Sequence, residues 1–388
     1  MKCDSHGEDV LLLERREFLR ILYEYLPDKT PIRLGCRVRD VKEDSSTGVE
    51  VILEDGSVER GDMILGCDGV HSLIRTKMWE FANRSTTIPR PITVQEKTSL
   101  VTCWKCLVGV APAMPELGER DMTVVHDDRY SFLFLTQPTK TFFFVFFRLK
   151  GREGEEFCWP QRKRYTDADA EEVAVRIAHH PVCETLVFGE VWKRRIRGSM
   201  VSLEEGVLRH WSHGRIVLAG DAVHKVTPNL ALGGNSTMES VVVLCNHLHR
   251  TVVAHQGGRV SRATLRKVFS AYQAEREGRM HEIAKLSSLI TRVQAWDGWA
   301  IKVLASWVLP FQADHKLSDQ MGEVIAAAPK LDYIDVGQGF PRGRLPWKDE
   351  RIKPETDALA QKRSLLSRLV VYLAGGLTAM MVAYALSI

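Results

Sequence analysis

The chain has 388 residues, 45% of them hydrophobic and 26% charged, an ordinary composition for two or three globular domains with a sizeable core. Its 53 Lys and Arg against 49 Asp and Glu leave a net charge of +4, too small and scattered to indicate a nucleic-acid partner; the local basic cluster Lys193, Arg194, Arg195 and Arg197 reads as a solvated face. Eight irregularly spaced cysteines, and a polar start from Met1 to Asp9 with no apolar run after a basic stretch, predict no secretory signal and a reducing, cytosolic setting.

Leu11 to Leu26 reads as a helix, because Leu12, Phe18, Leu19, Leu22 and Leu26 recur at helical spacing and Pro27 follows. Ile32 to Leu53 reads as two strands around a polar turn, Glu43 to Gly48, and Glu54-Asp55-Gly56 makes the next hairpin turn. Asp62 to Gly66 is a short apolar strand that runs into Cys67-Asp68-Gly69. Leu100 to Val110 and Tyr130 to Leu149 are strand-rich, and the run Phe142 to Phe147 suits a strand covered on both faces. Cys103 and Cys106 form a C-x-x-C without a second pair; on a strand, residues three apart point to opposite faces, so two ordinary half-buried cysteines are expected. Asp167 to His179 is a polar-faced helix, Arg215 to Ala219 a buried strand, and Ser236 to Ala254 and Ser261 to Leu289 are long helices. Trp296 to Phe311 reads as a docked surface helix, and residues 337–358 as a linker. Leu365 to Leu386 carries one charge, Arg368, over a length close to the ~20 apolar residues that cross a bilayer core. With Lys362, Arg363 and Arg368 on its N-terminal side, this segment is expected to be a single-pass membrane anchor that leaves the folded part cytoplasmic.

Two runs carry chemistry. The first is Gly220-Asp221-Ala222-Val223-His224-Lys225-Val226-Thr227-Pro228-Asn229-Leu230-Ala231-Leu232-Gly233-Gly234-Asn235, between a buried strand and a helix. An Asp at a strand end can accept from a ribityl or ribose hydroxyl. The loop then opens a helix whose free N–H groups form a positive pole, and its glycines let the backbone approach a flat ring. The second is Gly66-Cys67-Asp68-Gly69-Val70-His71-Ser72-Leu73-Ile74-Arg75, where Asp68 alone could also be a helix cap.

The first run resembles the G-D-A-x-H-x-x-x-P motif of flavoprotein monooxygenases of the para-hydroxybenzoate hydroxylase type, and the second resembles their D-G-x-x-S-x-x-R fingerprint. Glu14-Arg15-Arg16-Glu17-Phe18-Leu19 is similar to the family's helix with an FAD-contacting arginine. The resemblance implies FAD, held by Arg15 (with Arg16 as the one-residue alternative), Asp68, Asp221, Gly234 and Asn235, with NADPH or NADH as electron donor. His-Lys-x-Thr-Pro-Asn and Gly-Gly-Asn most resemble the fungal branch that epoxidises prenyl chains of meroterpenoids and indole diterpenes. By position within the family pattern, Tyr130 and Lys105 are the expected catalytic residues, on strands over the flavin. Ordinary strand residues remain the alternative for both.

The implied fold is α/β: an FAD/NAD(P)-binding doubly wound domain with an inserted β-sheet substrate domain, plus the C-terminal transmembrane helix. The expected division is FAD domain 1–90 and 201–336, substrate sheet 91–200, linker 337–363 and anchor 364–388. The family's opening strand, G-x-G-x-x-G turn and helix are not in this sequence, and roughly 90 residues of the pattern are missing before the arginine helix. A truncated reading of a longer gene and a short product with weak FAD binding both remain open. A lipophilic substrate, the membrane, and functional coupling to a membrane terpene cyclase are the expected partners. Aromatic hydroxylation by the same fold and a non-catalytic remnant are the rival readings.

Overall fold

The computed structural model describes residues 7, 11–44, 48–84, 92–149, 157–158, 163–307, 314–335, 343 and 345–347. The expected anchor, 364–388, lies outside them, as does most of the linker. No helix among the described residues is long and apolar enough to cross a membrane.

Helix α1 (Arg15–Tyr25) leads into an antiparallel meander of β1 (Val38–Asp44), β2 (Gly48–Leu53) and β3 (Val58–Gly61). β4 (Ile64–Gly66), α2 (Leu73–Arg84) and α3 (Val94–Lys97) follow. The chain then builds a large sheet from β5 (Val101–Pro112), β6 (Met122–His126), β7 (Tyr130–Thr136), β8 (Lys140–Arg148) and β9 (Phe157–Cys158). Helices α4 (Asp167–Arg176) and α5 (Phe188–Lys193) cover it before β10 (Arg197–Val207) rejoins it. Next come β11 (Ser212–His213), β12 (Ile216–Leu218), β13 (His224–Lys225), and helices α6 (Leu232–Ala254), α7 (Arg262–Gln294), α8 (Trp299–Trp307) and α9 (Asp314–Ala326).

The large sheet runs β13-β10-β5-β8-β7-β6, with β9 on β5. β10 continues past residue 200 to Val207, so the sheet extends beyond its expected boundary and reaches β13 inside the first motif. One sheet face packs Leu107, Phe132, Phe143, Val145 and Phe147 against Ala170, Val173, Phe188 and Trp192 of α4 and α5. The opposite face packs Trp104, Cys106, Leu133, Phe146 and Leu203 with Ala295, just after α7. The run Phe142–Phe147 is thus covered on both sides, as its composition predicts.

The doubly wound half is represented by a three-stranded sheet, β11-β12-β4, in which β12 and β4 run parallel. Its strands sit in a core with Met78 and Trp79 of α2, Val243 and Leu244 of α6, and Phe269, Tyr272 and Met280 of α7. Gly66 makes this possible: a Cβ there would stand 2.7 Å from Leu218 and 2.8 Å from Ile74. No strand among the described residues pairs the other edge of β4.

Several expectations shift in detail. α1 starts at Arg15 and buries none of its residues. α6 starts at Leu232, four residues before Ser236, so Gly233, Gly234 and Asn235 belong to its first turn. α8 starts at Trp299 and buries Ala305, while Trp299 and Trp307 are exposed; residues 308–311 of the expected helix lie outside the described residues. The cysteine expectation is corrected. The β5–β10 register slips between Leu203 and Glu204, leaving Cys103 as the bulged residue between Thr102 and Trp104. A bulge inverts the alternation, so Cys103 and Cys106 enter the same core cluster and both are buried.

Candidate flavin site

β12 ends at Leu218, and Gly220 turns the chain with φ +64°, packed so closely beneath α6 that a Cβ would stand 2.8 Å from Thr237. Asp221 sits half-buried on the resulting 3-10 turn, and the Lys225 ammonium donates to its carboxylate. His224 points inward, its Nε2 3.0 Å from Ser240 Oγ. Burial first, and the nearby Arg276 charge second, hold its pKa down to about 4, so the imidazole is neutral.

The loop that follows is fastened to α7. Thr227 Oγ1 lies 2.9 Å from Ser287 Oγ and 2.7 Å from Thr291 Oγ1. Asn229 Nδ2 donates to Gln294 Oε1 at 2.5 Å, and its Oδ1 accepts from Thr291 Oγ1 at 2.8 Å. Ala231 takes a left-handed conformation, φ 54°, and α6 opens without a side-chain cap. Asn235 Nδ2 turns back to the Ala231 carbonyl at 2.9 Å. The first-turn N–H groups have no intrahelical acceptor and form a positive pole. A Cβ on Gly234 would meet nothing within 4 Å, so there is open space against the pole. Ser236 Oγ is buried there and without a partner among the described residues. This corner fits the ribityl chain and the N1–C2=O edge of a flavin: Asp221 for a hydroxyl, the helix start for the ring.

In the second motif, Asp68 accepts from Ser72 Oγ and, at 3.1 Å, from the Ile74 N–H, and Ser72 Oγ in turn accepts from the Arg75 N–H at 2.8 Å. The carboxylate therefore orders the start of α2, the capping role its sequence also allowed. Arg75 is the residue whose importance the sequence concealed. It is fully buried over the Trp79 ring, donating to the Ala222 carbonyl at 2.8 Å and the Val70 carbonyl at 2.6 Å. Burial lowers its pKa to about 10, so it remains a cation at neutral pH and ties the two motifs together. The only signal was its fixed place at the end of the fingerprint.

Arg15 is not brought to this corner. It is exposed at the start of α1. Its neighbour Glu14 is held at the far end of the large sheet by Lys140 (2.6 Å) and Arg197 (2.5 Å). Arg197 starts β10 and Val207, its last residue, pairs with His224, which puts about 30 Å of strand between the two ends.

Tyr130 and Lys105 lie on the expected strands but on the wrong face. Register aligns Lys105, Phe147 and Tyr130 across β5, β8 and β7. All three face the side covered by α4 and α5: Lys105 Nζ stands over the Phe147 and Tyr165 rings, and Tyr130 packs into that core. Tyr130 donates to Asp127, which also binds His180 Nε2 at 2.6 Å; burial and the Asp127 contact push the phenol up. Burial, then the charges of Arg176 and Lys163, lower the Lys105 ammonium. Side-chain direction on a strand alternates every residue, so a correct strand assignment leaves the face undetermined.

The face that turns toward the motif is different in character. The 228–230 turn rests on the last turns of α7, and Ala295 at the end of that helix packs on this face and accepts from the Arg129 N–H at 2.7 Å. Across the middle of the face lie Val108, Val201, Leu133, Leu135 and Phe144, four of them at least partly exposed. Among the described residues the charges at this face lie toward its ends, with Lys140, Glu14 and Arg197 at one and Arg148 with Asp297, and Arg292 with Glu205, at the other.

Comparison with known proteins gives a family and a fold. A family described as FAD binding domain matches residues 113–285. The FAD-dependent monooxygenase DEP2 of Alternaria brassicicola is 43% identical over 344 residues, covering 88% of this chain and 64% of that protein. The FAD-dependent monooxygenase atmM of Aspergillus flavus is 30% identical over 354 residues, 91% of this chain and 72% of that protein. The chain thus spans less than two thirds of the length of DEP2. Among solved structures, Klebsiella pneumoniae HpxO complexed with FAD and uric acid superposes with a TM-score of 0.62 at 19% identity, over 82% of this chain and 72% of the other. A salicylate hydroxylase substrate complex superposes with a TM-score of 0.55 at 17% identity, over 84% and 82%. At those identities the likeness is one of fold.

Proposed function

The chain belongs to the FAD-dependent monooxygenases, and on that premise we propose that it carries the ring side of a flavin site that, with NADPH or NADH and O2, epoxidises a prenyl chain of a fungal meroterpenoid or related terpenoid intermediate. The observation that carries the substrate class is the motif-side face of the large sheet, whose centre is apolar from Val201 through Val108 and Phe144 to Leu133 and Leu135. A long uncharged surface of this kind rewards a lipophilic chain by the area it removes from water. A compact aromatic hydroxylation site would need polar groups to orient a ring, and Tyr130 and Lys105 are on the other face.

Bound FAD would supply the activation of O2 and the transfer of one oxygen atom, with NAD(P)H as reductant. The chain's own residues bind and orient. Asp221 accepts from the ribityl chain once it exchanges Lys225 for that hydroxyl. The start of α6 stabilises charge on the ring's N1–C2=O edge. The apolar wall holds the olefin and excludes water. Phosphate binding requires donors that this sequence does not display as a G-x-G-x-x-G turn. FAD affinity is therefore expected to rise when such donors are supplied. The C-terminal segment 364–388 serves as a membrane anchor, on the cytoplasmic face of the endoplasmic reticulum, where a lipophilic substrate and a terpene cyclase would be at hand.

The test joins the N-terminal segment of a longer relative to this chain and records the visible spectrum and the products from a prenylated substrate. We expect the fused protein to bind FAD at least a hundredfold more tightly than the chain alone, roughly what two charge-assisted hydrogen bonds to the pyrophosphate supply, and to form an epoxide. A hydroxylated ring without epoxide would replace this reading with aromatic hydroxylation. A colourless fused protein would leave the non-catalytic reading standing.

A further inference from the structure

Beneath the start of α6 lies a buried charge cluster that none of the binding roles above uses. Arg276 of α7 is 2% exposed. Its Nη1 donates to Glu239 Oε2 at 2.7 Å, its Nε to Ser240 Oγ at 3.3 Å, and its Nη2 to the Ser236 carbonyl at 3.3 Å. Arg279 donates twice to the same carboxylate, at 2.7 Å each, and to the Val324 carbonyl at 2.9 Å. Two guanidinium groups therefore share one carboxylate, and among the hydrogen bonds and ion pairs of the described residues one positive charge is left over.

The other titratable groups facing the cluster do not cancel it. His224, across Ser240, is neutral. Tyr272, one turn before Arg276, is pushed up by burial and stays a neutral phenol. Asp221 is paired with Lys225. Burial alone would raise the Glu239 carboxyl, but the bonds and charges of Arg279 and Arg276 outweigh it and hold it ionised.

This placement is poor for stability on two counts. Burying a charge with incomplete compensation is costly. A cation beside the first turns of a helix also opposes the helix dipole, which favours anions there. Both costs become useful if an anion is to be stabilised at the same pole, because the leftover charge and the dipole then add, in a region where water screens them little.

We propose that Arg276, through the positive charge its cluster retains, strengthens the pole at the start of α6 and favours the reduced, more negative state of a flavin ring seated there. This rests on the flavin reading above. The test is the reduction potential of FAD bound to the fused protein described above, with Arg276 and Glu239 unchanged and as R276M, R276K and E239Q. R276M is expected to weaken the preference for reduced over oxidised flavin about tenfold, a shift of about 30 mV to more negative potential for a two-electron couple. R276K should keep the wild-type value, and E239Q should shift the potential the opposite way. A structural disturbance would not give opposite signs for the two charge removals. A second readout needs no flavin: the His224 imidazole, followed by NMR, should titrate at higher pH in R276M than in the wild type. If bound flavin keeps its potential in both R276M and E239Q, or shifts the same way in both, the inference falls while the flavin reading stands. If FAD held by the fused protein with Arg276 and Glu239 unchanged keeps the potential of free FAD, both fall. An unmoved His224 titration also overturns the inference.

Discussion

Helices α1 and α7 both carry an amphipathic pattern and a set of arginines, yet only one of them belongs to a core. α7 buries Leu265, Phe269, Tyr272, Met280, Ile283 and Leu286, and its polar residues reach the motif loop through Ser287, Thr291 and Gln294. α1 buries none of its residues; Leu19 and Leu22 stand 53% and 52% exposed, and Arg20 is satisfied by Glu17 and Glu24 on the same helix. The difference teaches that helical periodicity specifies a face that wants cover, while the neighbouring elements decide whether cover is present. α7 meets β12, α6 and the large sheet; among the described residues, the hydrogen bonds that tie the α1 region to the sheet's far rim come from Leu12 and Glu14, just before the helix.

Four measurements sharpen or break this contrast. The largest effect is expected from Tyr272→Ala, which removes a fully buried ring and its hydrogen bond to the Leu218 carbonyl (3.2 Å): a loss of about 4 kcal/mol in urea denaturation. A loss below about 1 kcal/mol would mean that α7 does not hold the parallel strands. Next is the pH dependence set by His224. Its folded pKa of about 4 lies below the unfolded value of about 6.5, so the unfolded chain takes up a proton that the folded chain refuses. Stability should therefore fall as pH drops from about 6.5 to about 4, by up to ~3 kcal/mol, and His224→Gln should flatten that slope. A variant with an unchanged slope would move the titration elsewhere. Asp68→Ala, which removes the acceptor of the Ile74 N–H and of the Ser72 hydroxyl while Ser72 still accepts from Arg75, should cost about 1 kcal/mol, seen as a lower midpoint with an unchanged m-value. The smallest effect is expected from a chain that begins at Ile32: without α1 its denaturation midpoint should stay where it was. A clear drop would show that α1 finds a partner surface in solution.

The motifs were the most legible part of the sequence, because each depends on local requirements. Gly220 needs a left-handed turn, Asp68 and Ser72 lie within reach of the next helix's amides, and the run 228–235 opens a helix. Strands were legible from composition, most plainly Phe142–Phe147. What could not be read was long-range. Arg75 finds Ala222 across the whole inserted sheet, and Arg276 shares Glu239 with Arg279 across two helices; both are arginines that a local reading leaves in solvent. Nor could a face be chosen: Tyr130 and Lys105 were expected over the flavin by their position in the family pattern, and a period of two gives no preference between sides. The bulge at Cys103 defeated even the counting rule within one strand.

The bond from Arg75 to Ala222 spans 147 residues of sequence, and nearly everything between them builds the large sheet and its helices. On a ribosome adding about 5–20 residues per second, β4 and α2 emerge roughly 7–30 s before the residues that complete their core. The sheet from β5 to β10, whose partners lie within one continuous stretch, can close during that interval. The parallel strands are then joined last, by a segment that follows the whole large sheet in the chain, so the edge of β4 that β12 covers waits without its partner longer than any strand edge within that sheet.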